Sequence, residues 1–484
     1  QFESLGSTLG ASRTNFPFTS IDQLFAGGDD EEQSNWGTPA QDARKGLIGR
    51  FNYDYKGKYL AEFSFRYDGS LKFHPDRRWG FFPSVSLGWR LSEEAFMKKF
   101  SNLDNLKVRG SYGILGNDAV GGWQWLTNYS FGNAYIFNQA PIKSIVSGGI
   151  PNVDLTWEKT ATFNFGVDAS IYKGLLAVEA DVFYKRTYDI LGSRNASMPQ
   201  TFGATLPSEN YGIVKVKGFE LQVKHDNKIG DFRYHVGGNV SWSRNKVIEK
   251  DYAAGAEPWN IPVGKTMGYR ACFVALGLFQ SDEEAAAWPR FKGTQPTAGD
   301  VKYADLNNDG IMDERDKKVV SPYSNTPEIM FGLNLSASWK GFDFSALFQG
   351  AANRNVMLSG FATQMFINGA SNLPKYLYED HWTPDNRDAR YPKAWGPDHP
   401  SNNKSSTFWL INGNYVRLKN VELGYSISKD LLSRVGVDRL RIYVGGSNLF
   451  SIDHMPGYDP EKQDGGPNYY PQQRVFNMGV NITF

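Results

Sequence analysis

The sequence of 484 residues is short of cysteine, of long apolar runs and of any excess of charge. Cys272 is the only cysteine, so an internal disulfide is excluded, although many exported proteins also have none. No run of about eighteen apolar residues is present and the mean hydropathy is −0.46, which excludes a protein that crosses a membrane with helices. The net charge of +1 indicates neither a nucleic-acid binder nor an acidic tail.

Aromatic residues and glycine are abundant, at 15% and 50 residues, and this mixture suits strands and tight turns better than helices. The end of the chain alternates strictly between apolar residues and small or polar ones. The apolar set is Phe476, Met478, Val480, Ile482 and Phe484. The same period recurs in 163–171, 178–185, 219–224 and 331–339. An apolar face opposite a polar face, repeated over many strands, is typical of a transmembrane β-barrel whose outer face contacts lipid.

The spacing of these runs predicts thirteen strands, and a further strand before residue 22 makes fourteen. The thirteen are 47–57, 59–69, 79–92, 104–116, 157–172, 175–190, 212–226, 232–248, 327–339, 342–354, 412–427, 439–451 and 474–484. Short turns and compact links alternate with long segments along the chain. Outer-membrane barrels have this polarity, with short periplasmic turns and long outer loops. The predicted fold is therefore all-β, an antiparallel transmembrane barrel.

The expected organisation has two parts. Residues 1–46 form a leading strand, near 10–21, and a polar outer loop at 27–45. Residues 47–484 form the barrel portion, with long outer loops at 117–156, 249–326 and 355–411. The chain begins at Gln1 with neither Met nor a signal sequence, so we expect either a processed chain or a part of a longer protein.

Several segments carry a family resemblance. They are RWGFFPS at 78–84 with GWR at 88–90, LKVRGSYGILGN at 106–117, LTWEK at 155–159, NYVRLKNVELGY at 414–425, LRIYVGGSNLF at 440–450, PGYDP at 456–460 and the ending from 471 to 484. Together they resemble the SusC-type (SusC/RagA-like) TonB-dependent outer-membrane transporters of Bacteroidetes. The resemblance implies a barrel of 22 strands, a plug domain inside it and energy from the TonB complex. It also implies a SusD-like surface lipoprotein that covers the mouth. No plug or TonB box is recognisable, so the chain is expected to be the C-terminal barrel portion.

The function that the resemblance implies is import of glycan or peptide ligands across a Gram-negative outer membrane. On this interpretation the chain contacts outer-membrane lipid, a SusD-like lipoprotein through loops 249–326 and 355–411, and no nucleic acid. TonB would act through the plug portion. One alternative is a passive porin, which requires a charged constriction loop and no TonB. Another is a secreted β-rich binding module, which would dissolve without detergent.

The segment from Asp305 to Asp316 (DLNNDGIMDERD) matches the template of a calcium loop. The candidate ligands are the side chains of Asp305, Asn307, Asp309 and Asp316 and the carbonyl of Ile311. Gly310 permits the sharp turn that such a loop needs. The alternative is a surface loop of Asx-turns without metal. A structural Ca²⁺ is the only cofactor that the sequence suggests.

Other features give weaker signals. Aromatic residues crowd the long loops, where they either stack on a ligand or pack the loops together. They are Trp123, Trp125, Trp259, Trp288, Trp382, Trp395, Trp409, Tyr469 and Tyr470. The pairs Glu179 with Asp181 and Asp380 with Asp385 are ordinary for a barrel, and the six histidines show no metal spacing. We therefore predict no catalytic residues and no enzyme, and the substrate-binding residues stay unassigned. Short helices are expected at 281–287 and 430–435.

Overall fold

One antiparallel sheet of fourteen strands, joined in chain order, dominates the computed structural model. The structure describes residues 2–13, 33–131, 135–137, 140–142, 145–204, 206–366, 373–395, 401–428, 432, 436–462, 470 and 472–484. The strands are β1 Phe2–Arg13, β2 Gln33–Tyr55, β3 Tyr59–Ser70, β4 Trp79–Arg90, β5 Leu103–Asn117, β6 Glu158–Ile171, β7 Leu176–Gly192, β8 Glu209–Ile229, β9 Phe232–Glu249, β10 Ile329–Trp339, β11 Phe342–Ala352, β12 Tyr415–Ser426, β13 Arg439–Asp453 and β14 Val475–Thr483. All thirteen strands predicted from residue 47 onward are confirmed.

The first part of the sheet differs from the prediction. A strand at Phe2–Arg13 includes residues 10–13 of the leading strand predicted near 10–21, and residues 14–21 lie outside the described residues. The expected polar loop at 27–45 is wrong from Gln33 onward. Residues from Gln33 belong to β2, a strand of 23 residues that pairs with β1 along all of β1. Backbone pairing requires no apolar face, so a polar and glycine-containing segment can extend the sheet. The rest of the predicted loop, at 27–32, lies outside the described residues.

The register of the strands separates two faces, as the alternation predicts. Val182 pairs with Phe165 and Phe219, and these side chains lie on the outer face with exposed fractions of 52%, 43% and 40%. Asp181, one residue away, pairs with Gly166 and Glu220 on the opposite, inner face. Apolar side chains that stay exposed along a sheet need another apolar medium, and lipid supplies it. Leu333 and Ile442 lie on the same outer face, exposed by 37% and 48%.

Short connections lie at one end of the sheet and long ones at the other. Lys56 and Gly57 adopt positive φ in the turn between β2 and β3, where glycine makes the turn less strained. Aromatic rings surround this end: Tyr59 stacks on Trp89 at 6.2 Å, and Phe342 contacts Tyr425 at 4.6 Å. Such a ring of aromatic side chains is typical of a membrane–water interface.

The long connections carry the remaining elements. The helices are α1 Asp282–Ala287 and α2 Lys375–Glu379, and Ser281 caps α1 as predicted. The short strands of the loops are Tyr129–Phe131, Tyr135–Phe137, Ala140–Ile142, Ile145–Ser147, Arg270–Phe273, Ala275–Leu278, Arg290–Phe291, Val301–Tyr303, Ile311–Met312, Lys317–Ser321, Asn355–Met357 and Leu410–Asn412. The helix expected at 430–435 lies, except for Leu432, outside the described residues. Among the described residues, no helix has the length and apolar character that a membrane crossing requires.

The sheet has two edges. Each inner strand has two neighbours, whereas β1 pairs only with β2 and β14 only with β13 among the described residues. The side chains of β14 are exposed on both faces, up to 85% at Met478. An edge strand in hydrocarbon leaves backbone N–H and C=O groups unpaired, and each costs several kcal/mol.

Candidate functional site: an inner cavity beneath packed outer loops

Several charged side chains on the inner face of the sheet form ion pairs between strands. The Arg109 guanidinium on β5 donates to Asp168 on β6 at 3.1 Å and to both carboxylate oxygens of Asp181 on β7 at 2.6 Å. Arg441 on β13 binds Asp343 on β11 and Glu422 on β12 in the same way. Charged side chains at this density are compatible with a water-filled interior and incompatible with lipid.

A cavity of about 970 Å³ lies on this inner face. Its wall residues from β7, β8 and β9 include the carboxylates Glu179, Asp181 and Glu220, the amides Gln222 and Asn239, and the hydroxyl of Ser241. Arg354, Tyr415 and Glu461 line its other side. This size is at the upper end of ordinary ligand pockets, and the lining combines hydrogen-bond donors and acceptors with apolar residues such as Met330 and Leu347.

The charges of the cavity wall are unequally matched. Glu179 has Lys224 at 3.5 Å and Asp181 has Arg109, whereas Glu220 has no ion pair within the described part of the chain. Glu220 is also exposed to the cavity. Its carboxylate is therefore free to accept hydrogen bonds from a ligand.

A loop segment borders this cavity through Glu461. Residues 454–462, which we call the strap, follow β13 and fold back onto the inner face. Arg417 on β12 donates to Asp459 at 3.1 Å and to Glu461 at 2.8 Å, and Lys419 donates to Glu461 at 2.8 Å. Lys419 lies at a β-bulge that leaves it without a cross-strand partner, and such bulges redirect side chains.

Arg354, at the outer end of β11, holds the strap from a second side. Its two Nη groups donate to the backbone carbonyls of Pro460 at 2.5 Å and Lys462 at 2.6 Å. Only 2% of Arg354 is exposed, and burial lowers the pKa of its guanidinium. Arg417 and Asp459 are also buried, so these contacts operate largely out of water, where unpaired charges are costly.

The long loops outside the sheet pack into a layer of their own. We call residues 250–328 and 353–414 the outer layer. One hydrophobic cluster joins Leu358, Leu377, Trp395 and Trp409 with Met455 of the strap. A second cluster contains Phe273, Val301, Tyr303 and Met312, with Phe408 packed against it. Phe408 and Trp409 are adjacent in sequence and connect the two clusters.

Polar contacts lock the two halves of the outer layer together. The buried Asn402 donates to Asp300 at 2.9 Å and accepts from the backbone N–H of Val301 at 2.8 Å. Tyr303 donates to the carbonyl of Ser401 at 2.7 Å. Burial raises the pKa of the Tyr303 hydroxyl far above its ordinary value, so it remains a donor at every physiological pH. The two long loops therefore form one unit rather than separate appendages.

This packing explains several of the loop aromatics. Trp382, Trp395 and Trp409 are buried, and Trp288 donates from Nε1 to the carbonyl of Tyr303 at 2.8 Å. Trp259 likewise donates to the carbonyl of Glu314 at 3.0 Å. Trp123 and Tyr470 are exposed, Trp125 is half-buried, and Tyr469 lies outside the described residues. For the buried ones, packing of loops against loops is the interpretation that the structure supports.

The calcium-loop candidate is ordered by its own hydrogen bonds. Asp305 accepts from the backbone N–H of Asn308 at 2.8 Å and of Gly310 at 2.9 Å. Asn307 and Asp309 each accept from the residue two positions on, as in Asx-turns. These bonds set the tight turn that the template requires, with Gly310 at φ +80°.

The other candidate ligands are engaged elsewhere. The Arg315 guanidinium lies 2.6 Å from Asp309, and the buried Asp316 accepts from the backbone N–H groups of Leu306 and Asp313. Ile311 begins a short strand, Ile311–Met312. Within the described residues, no group of three or more His, Cys, Asp or Glu side chains is gathered closely enough to hold a metal ion.

Three of the carboxylates noted in the sequence have partners in the structure. Glu179 and Asp181 belong to the cavity wall and its ion pairs. Asp380 accepts from the backbone N–H of Arg390 at 3.3 Å, within the outer layer. Sequence reasoning missed the strap and its anchors. The sequence held one signal for the strap. Arg417 falls on the polar face of a predicted strand, and the acidic residues Asp459 and Glu461 follow the next strand.

Comparison with known proteins identifies relatives over nearly the whole chain. The family model described as TonB dependent receptor-like, beta-barrel matches residues 3–449. TonB-dependent receptor P26 of Formosa agariphila is 29% identical over 90% of this chain and 46% of its own length. TonB-dependent receptor SusC of Bacteroides thetaiotaomicron is 26% identical over 90% of this chain and 43% of its own length. The chain thus spans about half the length of the curated relatives that it matches.

Solved structures give the same fold. A chain from the RagAB peptide importer in its open-open state superposes with a TM-score of 0.78 at 23% identity, covering 100% of this chain and 51% of that one. The closed-closed state gives a TM-score of 0.76 at 24% identity, with 52% of that chain covered. At this identity the likeness concerns the arrangement of strands alone.

Proposed function

We propose that this chain, which belongs to the TonB dependent receptor-like β-barrel family, is part of a SusC-type importer. It forms part of the barrel wall and the outer loops of that importer. The chain is located in the outer membrane, as its family is. The observation that supports import most directly is the cavity of about 970 Å³ on the inner face, beneath the outer layer, with carboxylate and amide side chains in its wall. A wall that only separated lipid from water would not require such a pocket.

The import cycle follows from this placement. A ligand of glycan or peptide class is captured at the outer mouth between the outer layer and a SusD-like lipoprotein, and the cavity holds it. It passes inward when the TonB complex acts through a plug. The exposed surfaces of loops 249–326 and 355–411 are the proposed contact for the lipoprotein. The edges of β1 and β14 pair with further strands of the same barrel, since unpaired edges are costly in lipid.

Filling the cavity is expected to reduce uptake. Gln222→Trp adds a large side chain to the cavity wall, whereas Val223→Trp places the same side chain on the outer face. We expect the first variant to lower uptake about tenfold or more, because an occluded pocket loses its ligand contacts, and the second to leave it unchanged. Uptake of a fluorescein-labelled casein digest and of fluorescein-labelled maltodextrins by intact cells measures this.

The same assay separates import from passive diffusion. The strap is a charged loop on the inner face, and the porin alternative also expects a charged loop there, so its presence does not decide between them. Uptake that persists after deletion of TonB would establish the porin. Equal uptake by the Gln222→Trp and Val223→Trp variants would remove the cavity from the pathway.

We further propose that residues 305–316 bind Ca²⁺ when Arg315 gives up its contact with Asp309. The loop already has the turn and the oxygen atoms, and the guanidinium lies where a cation would neutralise Asp309. Arg315→Gln is therefore expected to raise calcium affinity several-fold, since a like charge leaves the site. Calcium-dependent protection of this loop from protease measures the affinity.

Lys292→Gln is the matched control, since Lys292 is an exposed cation of the same outer loop that has no part in the acidic turn. It is expected to leave calcium protection as it is. If a chelator changes neither the thermal stability of the protein nor the protease resistance of 305–316, the loop is an Asx-turn structure without metal.

A further inference from the structure

The strap is attached by two different kinds of contact. Its outer half packs into the outer layer, where Met455 is buried and Tyr458 contacts Tyr376 at 5.9 Å. Its inner half, Asp459–Lys462, is held by cations of the wall, namely Arg354, Arg417 and Lys419. A loop that only needed to be kept from solvent would use apolar contacts throughout. The inner half instead lies in a polar interior, where charges fix its position.

The inner half of the strap borders the cavity. Glu461 lines the same cavity as Glu179, Glu220 and Asn239, which lie on strands β7 to β9. Glu461 itself is held on β12, so the strap lies opposite those strands. Displacing the strap would therefore join the cavity to the open mouth of the barrel.

We propose that the strap is a specificity-determining wall of the cavity, and that Arg354 and Arg417 are the positioning residues that set its width. A ligand reaches Glu220 only if its cross-section fits between the strap and the wall. The expected effect on uptake rests on the proposed function. The width between the strap and the wall can be measured on the barrel itself, without any transport.

The contacts predict which changes release the strap. Asp459 and Glu461 carry the charge that holds the inner half, and the Arg417–Asp459 pair is buried at both ends. Removing one side of a buried pair leaves the other charge uncompensated, which is strongly unfavourable. The double variant Asp459→Asn with Glu461→Gln keeps the size of both side chains and leaves the sheet unaltered. Among the described residues, the partners of the Arg354 guanidinium on the strap are the backbone carbonyls of Pro460 and Lys462, so removing the two strap acids leaves these bonds in place.

Thiol labelling inside the cavity tests the proposal on the complete outer-membrane protein, purified in detergent without other subunits. Glu220→Cys places a thiol on the cavity wall. The native Cys272 gives little background, because it is fully buried and burial raises its pKa to about 11. N-ethylmaleimide is the small probe, and a maleimide carrying a polyethylene glycol chain of about 5 kDa is the large one.

We expect N-ethylmaleimide to label the thiol introduced by Glu220→Cys at similar rates with and without the strap acids. The large maleimide is expected to react at least about tenfold faster in the Asp459→Asn, Glu461→Gln background, because the loss of buried pairs favours the open position of the strap. Arg417→Gln, which acts from the wall, should give the same change. Arg244→Gln removes a half-buried pair with Glu328, at 2.7 Å, that has no contact with residues 454–462 in the described part of the chain, and should give none.

The proposal is overturned if the large maleimide reacts equally in the parent and in both strap variants. It is also overturned if Arg244→Gln accelerates the reaction as much as they do, since the effect would then be general loosening. Heat-dependent migration in gel electrophoresis confirms that each variant retains its barrel. None of these readouts depends on TonB or on a ligand, so a failed uptake assay and a failed labelling assay are distinguishable.

Discussion

Replacement of Trp409 by alanine is expected to unfold the outer layer while the fourteen-stranded sheet stays intact. Trp409 is 1% exposed, stacks with Tyr391 at 6.2 Å and lies where the two hydrophobic clusters meet. Truncating a buried tryptophan costs about 3–5 kcal/mol. The lost Nε1 donor also leaves the buried carbonyl of Asn402 without that bond, which was 2.7 Å long.

Two measurements separate the outer layer from the sheet. Trypsin is expected to cut 250–328 and 353–414 rapidly in the variant, while heat-dependent migration still reports a folded barrel. Co-purification of a SusD-like lipoprotein should be lost as well, if these loops form its contact. Trp123→Ala is the control, because Trp123 is an exposed tryptophan of another loop. Unchanged protection of the outer layer would show that its two loops do not depend on a shared core.

Leu333→Arg is expected to destabilise the barrel in lipid by about 2–4 kcal/mol, the cost of arginine on the lipid face near the middle of the bilayer. Leu333 lies near the centre of β10 on the outer face and is 37% exposed. Asn334→Arg is the matched control, since Asn334 is its neighbour in the strand, is also exposed and faces inward. Reversible unfolding by denaturant in phospholipid vesicles measures both.

The comparison between these neighbours tests the assignment of the two faces. If Asn334→Arg were as destabilising as Leu333→Arg, the inner face would not be in contact with water. If neither variant were destabilised, the outer face would not contact hydrocarbon. Either outcome would contradict the barrel interpretation and the transport function that depends on it.

The alternation of side chains predicted the sheet from residue 47 in β2 to β14, because each of those strands has one face toward lipid and the other toward water. The two media impose a period of two, and the period is readable in a single sequence. The segment from Gln33 to Lys45 escaped this reasoning, since it pairs with β1 and has no such alternation. This segment has the composition of a loop but pairs as a strand. Its local sequence does not reveal that a partner strand lies beside it.

The cavity and the strap depend on contacts between distant residues. Arg417 and Glu461 are 44 positions apart, and Arg354 reaches a carbonyl 106 positions away. The strap also begins at the end of a strand, where a loop can fold toward either side of the sheet. The α1 helix, by contrast, was predictable, because its cap Ser281 and its acidic first turn are adjacent in the chain.

The length of the strands has a mechanical consequence. β2 has 23 residues and β8 has 21, so at ~3.3 Å per residue each measures ~70 Å along its own direction. Tilted by ~45°, such a strand rises ~50 Å, well beyond a hydrocarbon slab of ~30 Å. The hydrogen-bonded sheet therefore extends beyond the lipid headgroups into the medium as a rigid wall. Whatever docks on top is held clear of the undulating lipid surface, at a fixed height over the opening.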